Sequence, residues 1–339
     1  MSRQSVLALL RKQMGEPISG EELSQRLGIS RTAVWKAINT LRQEGYSIEA
    51  RAGQGYRLTG VPDALTEPEI RSFLHPVERV GRMLFCYDQV DSTNTRVKQL
   101  ALEGAQDGTV VVANCQTAGR GRMNRVFQSP RDQGIYLTAL LRPQLPPDRL
   151  MMVTAMAGVA VCEAVEQICG VRPGLKWPND PVLNGKKLCG ILTELSLEGE
   201  SGRLQYLAVG IGVNVGQRAE DFAPEVRPVA TSLLQELGHP VSRPALAAAE
   251  IEALDRLYAA LLSGDTEPYL AACRRDCVNL GRQVQLLLPD GTRQPAVAED
   301  LDEDFGLVVR MADGSRRTVH SGEVSVRGLY GYAARSNCA

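Results

Sequence analysis

Residues 28–43, GISRTAVWKAINTLRQ, determine the fold of the first part of the chain. Gly28 can adopt the left-handed conformation that ends a helix, and two residues later Ser30 can cap the next one, which we predict to extend to about Gln43. At 100° per residue this helix has one buried stripe, formed by Val34, Ile38 and Leu41. Two helices joined by a tight turn are therefore expected.

The flanking segments complete a winged helix-turn-helix. Upstream, apolar residues recur at helical spacing (Leu7, Leu10 and Met14), and Ser19 and Glu22 form a capping box for a second helix with Leu23 and Leu27 on its core side. Downstream, residues 46–58, YSIEARAGQGYRL, alternate around a glycine turn, which predicts a β-hairpin.

Charge indicates what this module binds. Residues 1–60 hold nine Lys or Arg and five Asp or Glu, so their net charge is +4 within a chain whose net charge is −1. No acid lies between Ser30 and Gln43, and such a basic helix favours DNA over a mere packing module with a solvated face. The candidate DNA contacts are Thr32, Trp35, Lys36, Asn39, Arg51 and Arg57.

Composition limits what the rest of the chain can be. Its 339 residues exceed one hydrophobic core, and 44% hydrophobic with 23% charged residues is typical of packed domains. We find no apolar run long enough for a membrane span and no signal peptide. The eight cysteines form no Cys-x-x-Cys pair, so we expect reduced thiols in a cytoplasmic protein and no zinc site.

Alternating strand and helix patterns beyond a Pro62–Pro68 linker predict an α/β region. The expected strands are 83–90, 110–113, 135–141, 188–195 and 204–213, and the expected helices are 148–169 and 245–262. From 283 to 327, apolar and polar residues alternate between turns, which predicts four or five short antiparallel strands. We place the domains at 1–62, 63–272 and 273–339.

Three segments carry residues suited to anionic ligands. QTAGRGRMNR (116–125) combines glycines with three arginines, KWPND (176–180) ends an apolar strand with polar groups, and GKKLCGIL (185–192) places Lys187 at the entrance of a strand. Each segment alone also fits a plainer interpretation: a solvated turn for the first, an ordinary strand-to-turn exit for the second, and a lysine that extends to solvent for the third. GIGVNVG (210–216) lacks the spacing of a dinucleotide-binding loop, so a Rossmann site is rejected.

Together with Ser92-Thr93-Asn94, these motifs resemble the biotin protein ligases, specifically the bifunctional type that also represses the biotin operon. The resemblance covers nearly the whole chain. It implies an α/β multidomain protein: an N-terminal winged helix-turn-helix, a central mixed α/β ligase domain related to class II synthetases, and a small C-terminal SH3-like β-barrel. It also implies that biotin is activated by ATP with Mg²⁺ to biotinyl-5′-AMP and transferred to a lysine of the biotin carrier protein of acetyl-CoA carboxylase.

The resemblance also implies roles for individual residues. Biotin would be bound by Ser92, Thr93, Asn94, Gln116, Arg120, Gly121, Arg122 and Lys187. ATP or the adenylate would be bound by Arg125, Phe127, Lys176, Asn179 and Asn214. Catalysis would depend on Lys187, Arg122, Arg120, Lys176 and Asp180, and Mg²⁺ would arrive with ATP rather than on protein ligands alone.

The sequence departs from the family pattern at three places. Met123 and Asn124 replace a more usual Arg-Gly, Phe127 stands where tryptophan is common, and Pro181 follows KWPND. The partners that the family implies are operator DNA and a second copy of the chain, joined when biotinyl-AMP is bound. Two alternatives stay open: a ligand-sensing repressor without turnover, and a lipoate ligase.

Overall fold

Three helices and a hairpin form the first unit of the chain, residues 1–63. The computed structural model describes residues 2–51, 53–122, 125–145, 147–150, 152–199, 202–288, 291–320 and 325–328. In this unit the elements are α1 (Ser2–Lys12), α2 (Gly20–Leu27), α3 (Arg31–Gln43), β1 (Ser47–Arg51) and β2 (Gly55–Gly60). β1 and β2 pair antiparallel, which confirms the winged helix-turn-helix.

Local capping explains where these helices begin and end. Ser19 accepts a hydrogen bond from the Glu22 amide, Ser30 accepts one from the Ala33 amide, and Gly28 ends α2 with φ of 62°. In a complete capping box the Glu22 side chain would accept a hydrogen bond from the Ser19 amide. Here the Glu22 carboxylate pairs with Arg26 at 2.6 Å instead.

The predicted apolar stripes form the core of this unit, with one exception. Val34, Ile38 and Leu41 are buried together with Leu7 and Leu10. Met14 is 53% exposed, since α1 ends at Lys12 and the helical spacing that placed Met14 inside no longer applies.

A mixed five-stranded sheet is the centre of the second unit, residues 64–339. Its strands lie in the order β3 (Leu84–Tyr87), β4 (Val110–Ala113), β5 (Gly134–Leu141), β10 (Leu204–Asn214) and β9 (Cys189–Leu197). The β3–β4 pair is parallel and the other three pairs are antiparallel. This arrangement confirms the predicted mixed α/β domain.

Helices cover the sheet and supply its core. They are α4 (Glu67–Arg71), α5 (Thr93–Leu102), α6 (Val153–Cys169), α7 (Leu233–Leu237), α8 (Arg243–Ser263) and α9 (Glu267–Asp276). Every residue of β5 is buried. Leu140 packs with Val97 and Leu100 of α5, whereas Leu137 belongs to the larger cluster that contains α6 and α8. Both faces of β5 are therefore covered, which explains its continuous apolar run.

Two smaller sheets complete the unit. One contains β6 (Gly174–Lys176), β7 (Asp180–Leu183) and β8 (Lys186–Lys187). The other contains β11 (Gln283–Leu287), β12 (Arg293–Leu301), β13 (Leu307–Met311), β14 (Arg316–Val319) and β15 (Ser325–Gly328). The second sheet is antiparallel throughout and β15 returns to pair with β11, which confirms the predicted short antiparallel strands.

The C-terminal sheet is joined to the end of β6 through Trp177. Its indole Nε1 donates to the Phe305 carbonyl at 2.9 Å, and its backbone amide donates to Asn279 Oδ1 at 2.8 Å. The domain boundary that we placed between residues 272 and 273 falls inside α9, and it stays a prediction.

The cysteines from Cys86 to Cys277 are all free, and Cys338 lies outside the described residues. Among the described residues, no group of three His, Cys, Asp or Glu side chains could hold a metal ion. Within the same ranges, no helix is both long enough and apolar enough to cross a membrane.

Candidate active site

A cavity of about 680 Å³ lies in the second unit, and all fourteen predicted ligase-site residues line it. They come from the N-terminus of α5, the loop after β4, the KWPND turn, β8 and the end of β10. The sequence separates Ser92 from Asn214 by more than a hundred residues, and the central sheet brings them to one place.

The side chains at the start of α5 form a buried hydrogen-bond network. Thr93 and Asn94 are 3% and 5% exposed. Thr138, in the middle of β5, lies 2.8 Å from Thr93 Oγ1 and 2.7 Å from Asn94 Oδ1. Asn94 also fills a space that Gly210 leaves open, since a Cβ there would lie 2.0 Å from its Oδ1. This wall of the cavity is therefore rigidly positioned.

Gln116 connects that wall to the arginine-rich loop. Its Oε1 accepts from the Thr93 amide at 2.8 Å, and its Nε2 donates to Ser129 Oγ at 2.8 Å. Ser129 in turn donates to the Phe127 carbonyl at 3.1 Å. The side-chain amide of Gln116 is thus oriented from both sides.

The loop folds back on itself around its glycines. The Gly121 amide donates to the Arg125 carbonyl at 2.7 Å, and the Phe127 amide donates to the Gly119 carbonyl at 2.9 Å. Met123 and Asn124, the two departures from the family pattern, lie outside the described residues. What the structure describes is a narrow hairpin that carries Arg120 and Arg125 on its two arms.

Two cations of the site already have polar partners. Arg122 Nη1 donates to Asn179 Oδ1 at 3.3 Å, and Lys187 Nζ pairs with Asp180 Oδ1 at 2.6 Å. Burial lowers the pKa of the Arg122 guanidinium, although the nearby Asp180 carboxylate opposes that shift. Partial desolvation of this kind strengthens the attraction of a cation for a phosphate.

Backbone hydrogen bonds fix the position of Lys187. Its amide donates to the Val229 carbonyl at 2.8 Å, and its carbonyl accepts from the Thr231 amide at 2.9 Å. Asn214 is anchored in a similar way, because its Nδ2 donates to the Thr231 carbonyl at 3.0 Å. One segment, 229–231, therefore positions residues from both β8 and β10.

Two glycines on neighbouring strands make a floor for Phe127. Gly190 of β9 and Gly212 of β10 are register partners. A Cβ at Gly212 would lie 2.5 Å from the Phe127 ring, and one at Gly190 would lie 3.2 Å from it. On β10, Gly210 and Gly212 thus leave room for the side chains of Asn94 and Phe127.

Sequence reasoning missed several residues that line the cavity. The apolar part comes from β9 and β10 and from the segment after β10, through Ile191, Leu192, Ile211, Phe222, Val226, Val229 and Ala230. Gln285 and Arg293 reach it from the C-terminal sheet. The alternating pattern of β11 and β12 in the sequence does not indicate that Gln285 and Arg293 face this cavity.

Charge is strongly unbalanced around the cavity. Of its described lining residues, six are cations and one, Asp180, is a carboxylate; the cations are Arg120, Arg122, Arg125, Lys176, Lys187 and Arg293. Such a lining suits a ligand with several negative charges, and its apolar half suits an uncharged ring system or chain.

The six candidate DNA contacts lie in the first unit. Trp35 is 55% exposed, and Thr32, Lys36 and Arg51 are also exposed, whereas Asn39 and Arg57 are half-buried. The hairpin arginines are not free cations, because Glu49 pairs with Arg57 at 2.6 Å and with Arg51 at 3.5 Å. Glu49 was counted in the net charge of this unit, but its pairing with the two arginines was not predicted.

Each part of the chain matches a known protein family. Residues 2–57 match a helix-turn-helix domain, residues 86–214 match the biotin/lipoate A/B protein ligase family, and residues 280–327 match the biotin protein ligase C-terminal domain. The bifunctional ligase/repressor BirA of Bacillus spizizenii is 36% identical over 96% of this chain and 98% of its own length.

Two further relatives match only part of this chain. The biotin--[acetyl-CoA-carboxylase] ligase of Mycobacterium tuberculosis is 34% identical over 77% of this chain and 95% of its own. The biotin protein ligase of Aquifex aeolicus, solved in complex with biotin and ATP, is 30% identical, with a TM-score of 0.63 over 73% of this chain and 99% of its own. The chain therefore belongs to the family of bifunctional biotin ligases and transcriptional repressors to which BirA belongs.

Proposed function

We propose that the chain activates biotin with ATP to biotinyl-5′-AMP and transfers the biotinyl group to a lysine of the biotin carrier protein of acetyl-CoA carboxylase. The observation that supports this proposal most directly is a cavity whose described lining has six cations and one carboxylate beside an apolar wall. A triphosphate suits the first part, and the ring and chain of biotin suit the second. The Aquifex aeolicus relative was solved with both ligands.

The first half-reaction needs positioning and charge neutralisation rather than a protein nucleophile. The biotin carboxylate attacks the α-phosphate of ATP, and pyrophosphate leaves. Lys187 and Arg122 neutralise charge at the reacting carboxylate and α-phosphate, while Arg120 closes over biotin. Lys176, Asn179, Arg125, Phe127 and Asn214 hold the nucleotide, and Ser92, Thr93, Asn94 and Gln116 hold the biotin ring.

Magnesium enters as part of the ATP substrate. Asp180 is the one carboxylate among the described lining residues, and Lys187 already pairs with it at 2.6 Å. That donor set is too poor in oxygen ligands for a resident cation, which prefers several carboxylate or carbonyl oxygens. Mg²⁺ therefore shares the charge of the pyrophosphate while the protein contributes ammonium and guanidinium groups.

The second half-reaction uses the same cations. The carrier lysine amine attacks the acyl carbon, and AMP leaves with its charge neutralised by Arg122 and Lys187. Asp180 lies beside Lys187, so its carboxylate is available to orient the incoming amine or to take up its proton when the ion pair opens.

Incubation of the protein with a carrier domain, ATP, Mg²⁺ and labelled biotin or labelled lipoate tests this function. We expect label on one carrier lysine from biotin alone, with release of AMP. Label from lipoate alone would identify a lipoate ligase. Binding of biotin without pyrophosphate release would identify a ligand-sensing repressor without turnover.

The first unit gives the chain its second activity, repression at operator DNA. α3 would enter the major groove with Thr32, Trp35, Lys36 and Asn39, and the hairpin arginines Arg51 and Arg57 would contact the backbone. Two such modules on a twofold site bind far more tightly than one, so a homodimer with bound biotinyl-AMP is the repressing form. A cytoplasmic location, with reduced cysteines, follows from these partners.

A further inference from the structure

A buried serine for which the proposed reaction has no role, Ser129, lies where the arginine-rich loop ends. It is 6% exposed and does not line the cavity, whereas its partners Gln116 and Phe127 do. Gln116 lies where the loop begins. Its backbone amide donates to the Ser129 carbonyl at 3.2 Å, and its side-chain Nε2 donates to Ser129 Oγ at 2.8 Å. Ser129 is therefore attached to Gln116 at two points.

The direction of each hydrogen bond at this serine follows from a backbone amide, which can only donate. The Thr93 amide lies 2.8 Å from the Gln116 side chain, so the atom that it meets is Oε1 and the other end of that side chain is Nε2. Thr93 Oγ1 donates to the same oxygen at 3.1 Å. Because Nε2 cannot accept, the Ser129 oxygen must accept from it.

The hydrogen of the Ser129 hydroxyl is therefore directed at the loop. A serine hydroxyl carries a single hydrogen, and the contact with Gln116 does not use it. It is donated to the Phe127 carbonyl at 3.1 Å, while the Phe127 amide donates to the Gly119 carbonyl at 2.9 Å. Both polar groups of the Phe127 backbone are thus held, which fixes where its ring enters the cavity.

A missing side chain makes room for this junction. A Cβ at Gly119 would lie 2.3 Å from the Phe127 carbonyl oxygen and 2.6 Å from Ser129 Oγ. It would also lie 3.1 Å from Gln116 Nε2. The three polar groups therefore meet beside one glycine, where a larger residue would push them apart. Because they meet at a buried position, a group that loses its partner there is costly.

We propose that Ser129 is a positioning residue that connects the biotin end of the cavity to the loop over the adenylate. Its hydroxyl accepts from Gln116, which we assign to biotin, and donates to the backbone of Phe127, which we assign to the nucleotide. The end of the loop is thereby held in place relative to the biotin site, which keeps biotinyl-AMP covered and water out. This inference rests on the proposed function and deepens it, since it names how the two ends of the site are joined.

Ser129→Thr and Ser129→Val test the hydroxyl separately from side-chain volume. The two new side chains have the same shape, and only threonine keeps a group that can accept from Gln116 and donate to Phe127. We expect biotinyl-AMP to dissociate about tenfold faster from Ser129→Val than from Ser129→Thr, measured by dilution of the preformed complex. Any steric effect of the added methyl group is common to both variants, so it cancels in the comparison.

A double-variant comparison tests whether Ser129 acts through Gln116. Ser129→Ala leaves the Gln116 Nε2 without its acceptor, so the dissociation constant for biotin alone, measured by calorimetry, should rise roughly fivefold to tenfold. In a Gln116→Met background that donor is gone, and Ser129→Ala should no longer change biotin affinity. It should still accelerate adenylate dissociation, since the bond to Phe127 is lost in either background. A merely structural serine predicts the same further loss of biotin affinity in both backgrounds.

Thr109→Val is the matched control for the loss of a buried hydroxyl. Thr109 is 1% exposed, it precedes β4 whereas Gln116 follows that strand, and its Oγ1 donates to the Gln106 carbonyl at 2.6 Å. This variant should release biotinyl-AMP at the wild-type rate. Wild-type protein that forms no biotinyl-AMP would refute the proposed function itself. Equal dissociation rates for Ser129→Thr and Ser129→Val, or equal effects of Ser129→Ala on biotin affinity in both backgrounds, would overturn only the role of Ser129.

Discussion

Lys187 and Asp180 form an ion pair inside the cavity, and the lysine is the partner on which we expect adenylation to depend. Lys187→Ala should slow biotin-dependent pyrophosphate release roughly a hundredfold or more, since charge on the phosphate is no longer neutralised. Lys186→Ala is the matched control, because its exposed side chain lies on the same strand outside the cavity. Equal rates in both variants would contradict the assignment.

Glu250 is a second acid with an unusual environment, and it predicts how stability varies with pH. It is 1% exposed, its two carboxylate oxygens have no hydrogen-bond partner among the described residues, and burial raises its pKa to about 8. Since the folded pKa exceeds the unfolded value, folding retains a proton, and stability falls as pH rises from about 4 towards 8.

Replacing this acid should therefore stabilise the protein at high pH. Glu250→Leu is expected to raise the free energy of unfolding at pH 8 by roughly 1–3 kcal/mol and to flatten its decline between pH 5 and 8. Thermal unfolding of both proteins across that range measures the effect. An unchanged slope in the variant would mean that Glu250 is not the titrating group.

At this scale the sequence predicts residues whose chemistry is carried by a local motif. The KWPND and GRGR segments place Lys176 and Arg122 at the cavity because each motif is contiguous. Thr138 was missed, since it is one polar residue in a strand and its contact with Asn94 joins residues more than forty positions apart. Long-range hydrogen bonds leave no periodic signal.

Among the elements, the loop from Gly119 to Phe127 has the clearest expected function. Its backbone bonds hold a narrow hairpin, and Arg122 joins it to Asn179. Arg122→Gly removes that connection and adds backbone freedom, so biotinyl-AMP should dissociate about tenfold faster or more. Rapid dilution of the preformed complex measures the rate, and unchanged retention would show that the loop does not cover the adenylate.

The hairpin of the first unit is partly neutralised by its own acid. Glu49→Gln releases Arg51 and Arg57 for phosphate contacts, so DNA affinity should rise several-fold and the salt dependence should steepen. Glu44→Gln removes the same charge from an ion pair with Arg3 and serves as the control. If the two variants bind DNA equally, only net charge matters and the hairpin does not contact the backbone.

Elements were predicted well where the apolar pattern was continuous and less well at their ends. The strand Val110–Ala113 agrees with the prediction. β10 ends one residue after its predicted end at residue 213, because Asn214 still pairs with Gly134. The expected strand at 83–90 is reduced to Leu84–Tyr87, since β3 pairs on one side only with the four residues of β4. Pairing partners, which the sequence does not reveal, set these ends.

At the scale of the whole molecule, the two units carry separate activities and opposite charge. Deleting residues 1–62 should abolish operator binding while largely sparing biotin transfer, because all fourteen predicted ligase residues lie after the division at Asp63. Gel-shift and transfer assays on the truncated chain test both halves of this expectation. Loss of transfer would show that the first unit contributes to the ligase site.

Coupling between the two activities requires that ligand change the association of the chain. One winged helix with a net charge of +4 binds DNA weakly, and twofold operators multiply the affinity of two such modules. If the loop closes over biotinyl-AMP, any association surface that includes it is formed with the ligand in place, so ligand should favour the homodimer. Unbiotinylated carrier would compete for the same protein and relieve repression.

Sedimentation velocity with and without biotin and ATP measures this coupling directly. We expect a shift from monomer to dimer on adenylate formation, a parallel rise in operator affinity, and loss of both when unbiotinylated carrier is added. Lys187→Ala, which should not form the adenylate, is the control and should stay monomeric under the same conditions. An oligomeric state that does not respond to biotin and ATP, with unchanged operator binding, would mean that repression is controlled by something other than dimerisation.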